Sequence, residues 1–249
     1  MPKTPRFPPS APHRVEILAF PAVQLLDVAG PLQVFASANE IVARTGGAPP
    51  YAPRVVSAAP VVTASSGLGL VTAKLPRGRP VVDTLLVAGG PGVHAAAADA
   101  AVVSWVQSRA KRARRVASVC TGAFLLAASG LLDGRRAATH WSVCKEFARR
   151  YPAVKVEPDP IFVRDGSVWT SAGVTAGIDL ALALVEQDLG RTVALAVARY
   201  LVVFLKRPGG QAQFSEALSL QSAEDEFGAL HDWIGKHLAD DISLPLLAD

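Results

Sequence analysis

The chain has 249 residues, of which half are hydrophobic and 18% are charged, and its formal net charge is +4. This composition is typical of a globular protein with enough apolar side chains for one large domain, or for one domain and an appendage. Two cysteines are too few for a disulfide framework, and no apolar run is long enough for a membrane span. We therefore expect a cytoplasmic protein with reduced cysteines. The mild positive charge permits an acidic partner without demanding one.

Short apolar runs alternate with helical patterns along the first two hundred residues. Strands are predicted at 15–20, 54–57, 84–87 and 116–119, a small hairpin within 61–70, and a β-hairpin extension at 155–168. Helices are predicted at 32–44, 97–112, 141–150, 173–189 and 192–205. This alternation predicts an α/β fold with a doubly wound, mainly parallel sheet and helices on both faces. The basic run 111–115 closes a predicted helix, so we interpret it as a solvated helix end and not as a nucleic-acid patch.

The stretch 115–130 is the most informative part of the chain. A buried strand is followed at once by Cys120, and small and apolar residues then open a helix. Ser118 and Gly122, two small residues that flank the cysteine, complete the pattern of a nucleophile elbow. Because unpaired N–H groups at a helix N-terminus favour negative charge, we expect a thiolate to form easily here. A plain packing role for the cysteine remains open, and Cys144, which lacks this context, is interpreted as packing.

Three loops that follow three of the strands carry residues suited to ligand binding. Ligands gather at the carboxyl ends of the strands in such sheets, where we expect loops 24–31, 89–94 and 120–122 to meet. The first loop offers the Asp27 carboxylate, the second offers glycine N–H groups that can face an oxyanion, and the third offers the thiol. An N-capping aspartate and a glycine turn are the ordinary interpretations of the first two loops. A fourth segment, 173–177, opens a helix whose N–H groups can bind an anionic or carbonyl group.

The character of the sequence changes after residue 204. A break at 207–210 leads into a polar stretch, and apolar residues then recur at helical spacing over 230–238. A further helix begins with Ser243 as its N-cap. We therefore divide the chain into a disordered tail at 1–13, an α/β domain at 14–206, a linker at 207–228 and the start of a helical domain at 229–249.

Several ordered motifs carry a resemblance to a known family. They are LLDVAGPLQVF, LLVAGGPG, VASVCTGAFLLAASGLLDGRRAATHW and SAGVTAGIDLALALVE. Together they resemble the ThiJ/PfpI superfamily, and more narrowly its branch that is fused to an AraC-type DNA-binding module. The resemblance covers about residues 13–215 and implies the class I glutamine amidotransferase-like, flavodoxin-like fold. It also implies a homodimer, because the resembled regulators pair through this domain.

The end of the chain, LHDWIGKHLADDISLPLLA, resembles the opening helices of the AraC-type module. That module places two recognition helices in the major groove of DNA, and it needs far more residues than the chain offers here. The resemblance therefore implies DNA binding only through a C-terminal module that is mostly missing. We expect the chain to be part of a longer regulator.

The resemblance assigns the superfamily's elbow cysteine to Cys120. In proteolytic members a histidine follows this cysteine, whereas this chain has Thr121, which argues against a Cys–His peptidase dyad. The isocyanide hydratase branch is closer, and it implies a thiolate nucleophile at Cys120, proton handling by Asp27 and a hydroxyl hydrogen bond from Thr121. His140 matches a histidine near the site in several relatives, although a helix-start histidine is an equal alternative. The candidate ligand-binding residues are Gly89, Gly90, His140, Gly173 and Thr175, and we expect no cofactor and no metal.

These observations predict a transcriptional regulator whose N-terminal domain senses a small-molecule effector and forms the dimer. The effector, such as an amine or amide, would sit by Cys120, Asp27 and His140 and shift how the DNA-binding module is presented. The alternative is a stand-alone cysteine-dependent hydratase or hydrolase of small molecules. The elbow favours this alternative, but the linker and the trailing helix argue against it. A binding domain with an idle cysteine is a third hypothesis, since a fold alone does not determine function.

Overall fold

The computed structural model describes residues 11–76, 81–207 and 209–211, and the single residues Leu230, Trp233, Ile234, Lys236 and His237. The chain divides into two compact units, Met1–Pro208 and Gly209–Asp249. Most of the predicted tail, linker and terminal helical domain lies outside the described residues, so these three assignments stay predictions. Strand β1 begins at His13, the last residue that the prediction places in the tail.

The elements of the first unit alternate between strands and helices, as the sequence pattern predicts. The strands are β1 (His13–Leu18), β2 (Tyr51–Ser57), β3 (Val61–Thr63), β4 (Gly69–Val71), β5 (Ala73–Lys74), β6 (Val82–Val87), β7 (Ala113–Val119), β8 (Arg136–Ala137), β9 (Lys155–Val156), β10 (Phe162–Asp165) and β11 (Val168–Ser171). The helices are α1 (Leu25–Arg44), α2 (Val93–Ala98), α3 (Ala100–Ala110), α4 (Gly122–Ala128), α5 (Cys144–Arg150), α6 (Ala176–Leu189) and α7 (Arg191–Tyr200), with a 3₁₀ turn at Trp141–Val143.

The main sheet has the strand order β10-β11-β7-β6-β1-β2-β5. Neighbouring strands run parallel except at one edge, where β10 runs antiparallel to β11. Helices α1, α6 and α7 pack together, as do α2, α3 and α4, and the two groups cover the two faces of the sheet. Because both faces are covered, β6 is buried along its whole length. The predicted doubly wound, mainly parallel α/β fold is confirmed.

Several element predictions need correction. The small hairpin of β3 and β4 is confirmed, but the hairpin predicted as an extension contributes two strands to the main sheet. Its strand β11 is buried throughout and pairs in parallel with β7. Helix α1 begins at Leu25, seven residues before its predicted start, and contains Pro31. The helix continues through the proline because Gly30 and Pro31 pack closely on α6, so tertiary contact outweighs the local preference for a turn.

The basic run was predicted to be a solvated helix end, and this is wrong for its last two residues. Helix α3 ends at Ala110, and Arg114 and Arg115 belong to β7. Arg115 is only 3% exposed, and its guanidinium binds the buried carboxylate of Asp188. Arg114 pairs with Asp83 and with Asp188. The two carboxylates neutralise the cations, which allows the run to enter the sheet.

Among the described residues, none of the helices has both the length and the apolar character that crossing a membrane would require.

Candidate functional site

Cys120 lies at a strained turn between β7 and α4. Its φ is +57°, a left-handed conformation that side chains other than glycine rarely adopt. The Cys120 N–H is bonded to the carbonyl oxygens of Ser171 and Ala172, each at 3.1 Å. A Cβ on Gly122 would lie 2.4 Å from the Val87 carbonyl oxygen, so only glycine fits there. The structure thus has the backbone of a nucleophile elbow, with the cysteine 7% exposed at its tip.

Two further loops come together beside the cysteine. Asp27, in the first turn of α1, is fully buried and accepts a hydrogen bond from the Gly89 N–H at 3.0 Å. A Cβ on Gly89 would lie 2.8 Å from Asp27 Oδ2 and 2.8 Å from Cys120 Cβ. The structure therefore brings the carboxylate, the diglycine and the thiol together at the carboxyl ends of β1, β6 and β7.

The glycine N–H groups of this loop already have partners within the protein. The Gly89 N–H donates to Asp27, and the Gly90 N–H donates to Thr121 Oγ1 at 2.8 Å. The Thr121 hydroxyl in turn donates to the Gly90 carbonyl at 3.3 Å. The expectation that these N–H groups face a ligand oxyanion does not hold in this structure, because neighbouring side chains accept both. Thr121 thus ties the elbow to the glycine loop.

The environment of the pair disfavours the charged form of both groups. Burial raises the pKa of Asp27 to about 7, although hydrogen bonds from the Gly89 and Val174 N–H groups and from the Cys120 thiol oppose this rise. Burial, together with the nearby Asp27 charge, raises the pKa of Cys120 to about 12. The expected ease of thiolate formation is therefore not found, because loss of solvation outweighs the helix N-terminus. Asp27 Oδ1 is buried and has no hydrogen-bond partner among the described residues.

His140 lies next to the site and also begins a helical turn. Its Nδ1 accepts the Ser142 N–H at 3.3 Å, which makes it the N-cap of the 3₁₀ turn. Burial lowers the pKa of His140, so the imidazole is neutral at neutral pH. The preceding residue, Thr139, donates its hydroxyl to the Cys120 carbonyl at 3.0 Å. A Cβ on Gly173 would lie 1.9 Å from the His140 ring, so Gly173 makes room for the imidazole.

Two other residues have roles that the sequence analysis did not anticipate. Thr175, a candidate ligand-binding residue, is the N-cap of α6, and its hydroxyl oxygen accepts a hydrogen bond from Arg207 at 3.0 Å. Val174 lies within the predicted segment 173–177, but its N–H approaches Asp27 and Cys120 within the protein. Its φ of +56° is rare for a β-branched residue, and no pattern in the sequence signals it.

A cavity of about 370 Å³ opens at the carboxyl ends of β1 and β2, and its surface is mostly apolar. It shares Gly92 with the glycine loop but is lined by neither Asp27 nor Cys120. Its lining residues are Leu18, Ala19, Phe20, Pro21, Ser57, Ala58, Ala59, Leu75, Gly92, Ala95, Ala96, Asp99 and Val102. Within the part of the chain that the structure describes, no group of three or more His, Cys, Asp or Glu side chains is placed to hold a metal ion.

The fold and this site define a doubly wound α/β protein with a cysteine at a strand–helix elbow. Residues 13–187 match the DJ-1/PfpI family, and the chain belongs to that family. The resemblance to the ThiJ/PfpI superfamily that the motifs carry is thereby confirmed.

Known relatives include both an enzyme and regulators. Isonitrile hydratase from Pseudomonas putida is 38% identical over 184 residues, which are 74% of this chain and 75% of that protein. The HTH-type transcriptional regulator GbdR from Pseudomonas aeruginosa is 32% identical over 141 residues, which are 57% of this chain and 38% of the regulator. A crystal structure of a ThiJ/PfpI family protein from Pseudomonas syringae has a TM-score of 0.68 and 30% identity, covering 84% of this chain and 82% of that chain.

Proposed function

We propose that this chain is the effector-sensing part of an AraC-type transcriptional regulator, whose DNA-binding module lies mostly outside it. The observation that carries the proposal is the burial of the pair, because Asp27 is fully buried and Cys120 is only 7% exposed at the tip of the elbow. A buried thiol with a pKa of about 12 is a poor nucleophile at neutral pH. The relationship to HTH-type regulators supports the same conclusion.

The effector class follows from the state of Asp27. Its Oδ1 is buried and makes no full hydrogen bond with the described residues, although the Val174 N–H and the Cys120 thiol approach the carboxylate, and a buried acceptor with only weak donors is costly. With a pKa of about 7, the carboxyl group needs little stabilisation to ionise. An effector with an N–H donor, such as an amine or amide, would satisfy Oδ1 and favour the charged carboxylate. His140, neutral and next to the elbow, is the second contact that we propose.

The assembly that we propose is a homodimer formed through the α/β unit. In this arrangement the effector changes the presentation of two DNA-binding modules together. DNA is contacted by those modules and not by the described residues of this chain.

A thermal-shift screen of small amines and amides tests the proposal. A true effector raises the melting temperature by mass action, in proportion to the logarithm of its concentration. Asp27→Asn is the matched variant, because it keeps the size of the side chain and removes the carboxylate. We expect it to lose the shift. A screen in which no compound stabilises the wild-type chain, or in which Asp27→Asn responds equally, would contradict the proposed sensor.

The second candidate is a cysteine-dependent hydratase. Its support is the 38% identity to isonitrile hydratase over three quarters of both chains, together with the contact between Cys120 and Asp27. In this role the sulfur attacks the substrate carbon while Asp27 relays the thiol proton to it, and water then releases the hydrated product. Product formation from an alkyl isonitrile, absent in Cys120→Ala, would replace the sensor proposal with this one.

A further inference from the structure

Arg207 lies at the point where the chain leaves the first compact unit, and the first turn of α6 holds its guanidinium. Its Nε donates to Asp179 Oδ1 at 2.9 Å, and its Nη2 donates both to Asp179 Oδ2 and to Thr175 Oγ1, the latter at 3.0 Å. The Arg207 side chain is 20% exposed and that of Asp179 only 7%. A forked ion pair that is largely shielded from water is a strong and geometrically specific contact.

The same turn of α6 also touches the candidate site. Val174 immediately precedes Thr175, and its N–H approaches both the Asp27 carboxylate and the Cys120 sulfur. One peptide unit therefore separates the buried pair from the hydroxyl that binds Arg207. The left-handed φ of Val174 shows that the backbone is strained at this step.

Close packing makes this connection stiff. A Cβ on Gly177 would lie 2.9 Å from Val119 Cγ1 and 3.3 Å from Pro31 Cγ, so α6 touches both the end of β7 and the helix that carries the carboxylate. A Cβ on Gly30 would likewise lie 2.9 Å from Ile178 Cγ1. Side chains that pack this closely on a helix backbone transmit small displacements, because a densely packed interior has little free volume.

We propose that Arg207 couples the state of the Cys120–Asp27 pair to the position of the chain as it leaves the α/β unit. A ligand or chemical change that moves Val174 also moves the Thr175 hydroxyl. This hydroxyl is one of the groups that bind the Arg207 guanidinium. Arg207 is thus a positioning residue. The inference rests on the proposed function, in which the segment after Arg207 passes on the effector signal.

The first test measures how fast iodoacetamide alkylates Cys120 in a Cys144→Ser background, where a single thiol reacts. We expect Arg207→Gln to change this rate by about two-fold or more, which is the scale of coupling along such contact networks. Thr175→Val, which replaces the hydroxyl with a methyl group of similar size, should act in the same direction with a smaller effect.

Arg191→Gln is the matched control for the first test. Arg191 pairs with Glu186, which lies near the C-terminal end of α6. The Arg191 side chain is 65% exposed. We expect this variant to alkylate at the wild-type rate. Equal rates in Arg207→Gln and Arg191→Gln would overturn the proposal.

The second test uses the reciprocity that linkage requires. Alkylated and untreated proteins, both in the Cys144→Ser background, are digested with a glutamate-specific protease, whose sites after Arg207 include Glu216, Glu224 and Glu226. We expect alkylation of Cys120 to change cleavage at these sites by about two-fold or more, and this effect to vanish in Arg207→Gln. The same effect of alkylation in both proteins would overturn the proposal. Neither test uses an effector, so a failed effector screen would reject the sensor and leave these results standing.

Discussion

The sheet has a buried aspartate at each end of its central strands, Asp83 in β6 and Asp27 in α1. Their pKa values are shifted in opposite directions. At the amino ends of the strands, Asp83 is bonded by Arg114 and faces Arg115. Burial alone would raise the pKa of Asp83, but hydrogen bonds and these cations outweigh burial and lower it. At the carboxyl ends, Asp27 faces the Cys120 thiol instead of a cation, and burial raises its pKa to about 7.

The difference shows that burial does not decide the charge of an acid unless its partners are counted as well. Where guanidinium groups are present, a buried carboxylate is ionised and fastens strands and helix together. Where only N–H groups and a thiol are present, burial raises the pKa of the carboxyl group to about 7, and protonated and ionised forms coexist near neutral pH. An acid in that second state is typical of a functional site, because a ligand can change its charge at little cost.

The largest change in the free energy of unfolding is expected at the amino ends of the strands, where the buried acids are paired with arginines. In Arg115→Met, Asp188 and Asp83 stay buried with one cation fewer, and the free energy of unfolding should fall by about 3–5 kcal/mol in urea denaturation. Arg136→Met is the control, because Arg136 makes an exposed pair with Glu157 and should unfold near the wild-type midpoint. A loss in Arg115→Met no greater than in the control would show that this end does not depend on paired charge.

At the carboxyl ends of the strands, removing the charge of Asp27 should instead raise the free energy of unfolding. The pKa of Asp27 is about 7 in the folded chain, against about 3.9 for a free aspartate. Between these values the folded state keeps a proton that the unfolded state has lost, so the contribution of Asp27 to stability falls as pH rises from about 4 to 7. Asp27→Asn should remove this slope and be more stable than wild type near pH 8, by as much as about 3–4 kcal/mol.

Urea unfolding across this pH window measures the effect, with Asp99→Asn at an exposed N-cap as the control. If Asp27→Asn keeps the wild-type pH dependence, the pKa of Asp27 is not raised. The contrast between the pKa values of Asp27 and Asp83 would then be lost.

The backbone of the elbow provides a smaller test of the site end. In Gly122→Ala, the new Cβ would overlap the carbonyl oxygens of Val87 and Ala88, and we expect a loss of about 1–3 kcal/mol in urea unfolding. Gly69→Ala is the comparison, because its nearest neighbour would be Val61 Cγ1 at 3.7 Å, an ordinary contact. Equal stability of the two variants would mean that the elbow adapts to a side chain at position 122.

The smallest effect concerns the reactivity of the thiol. In a Cys144→Ser background, the alkylation rate of Cys120 should keep rising with pH beyond about pH 9, without a plateau near the ordinary thiol pKa of about 8.5. Asp27→Asn removes a like charge, so we expect alkylation near pH 8 to be about ten-fold faster, which corresponds to one pKa unit. A wild-type plateau below about pH 8.5 would contradict the raised pKa of the Cys120 thiol and favour the hydratase.

Local patterns in the sequence determined the order of strands and helices, the elbow at Cys120 and the class of fold. They did so because apolar periodicity and small residues around a turn act over a few neighbouring positions. The same patterns identified Asp27 and Gly89 as residues of loops at the carboxyl ends of strands, which the structure brings together with the cysteine.

Contacts between distant segments decided where helix α1 begins, which charges are buried and which groups are protonated. Helix α1 runs through Pro31 because it packs on α6, and Arg114 and Arg115 enter the sheet because buried carboxylates receive them. The partners of the Gly90 N–H and the protons on Asp27 and Cys120 likewise depend on which groups surround them in space. Burial and charge pairing arise only when residues far apart in the sequence meet, so no local pattern can encode them.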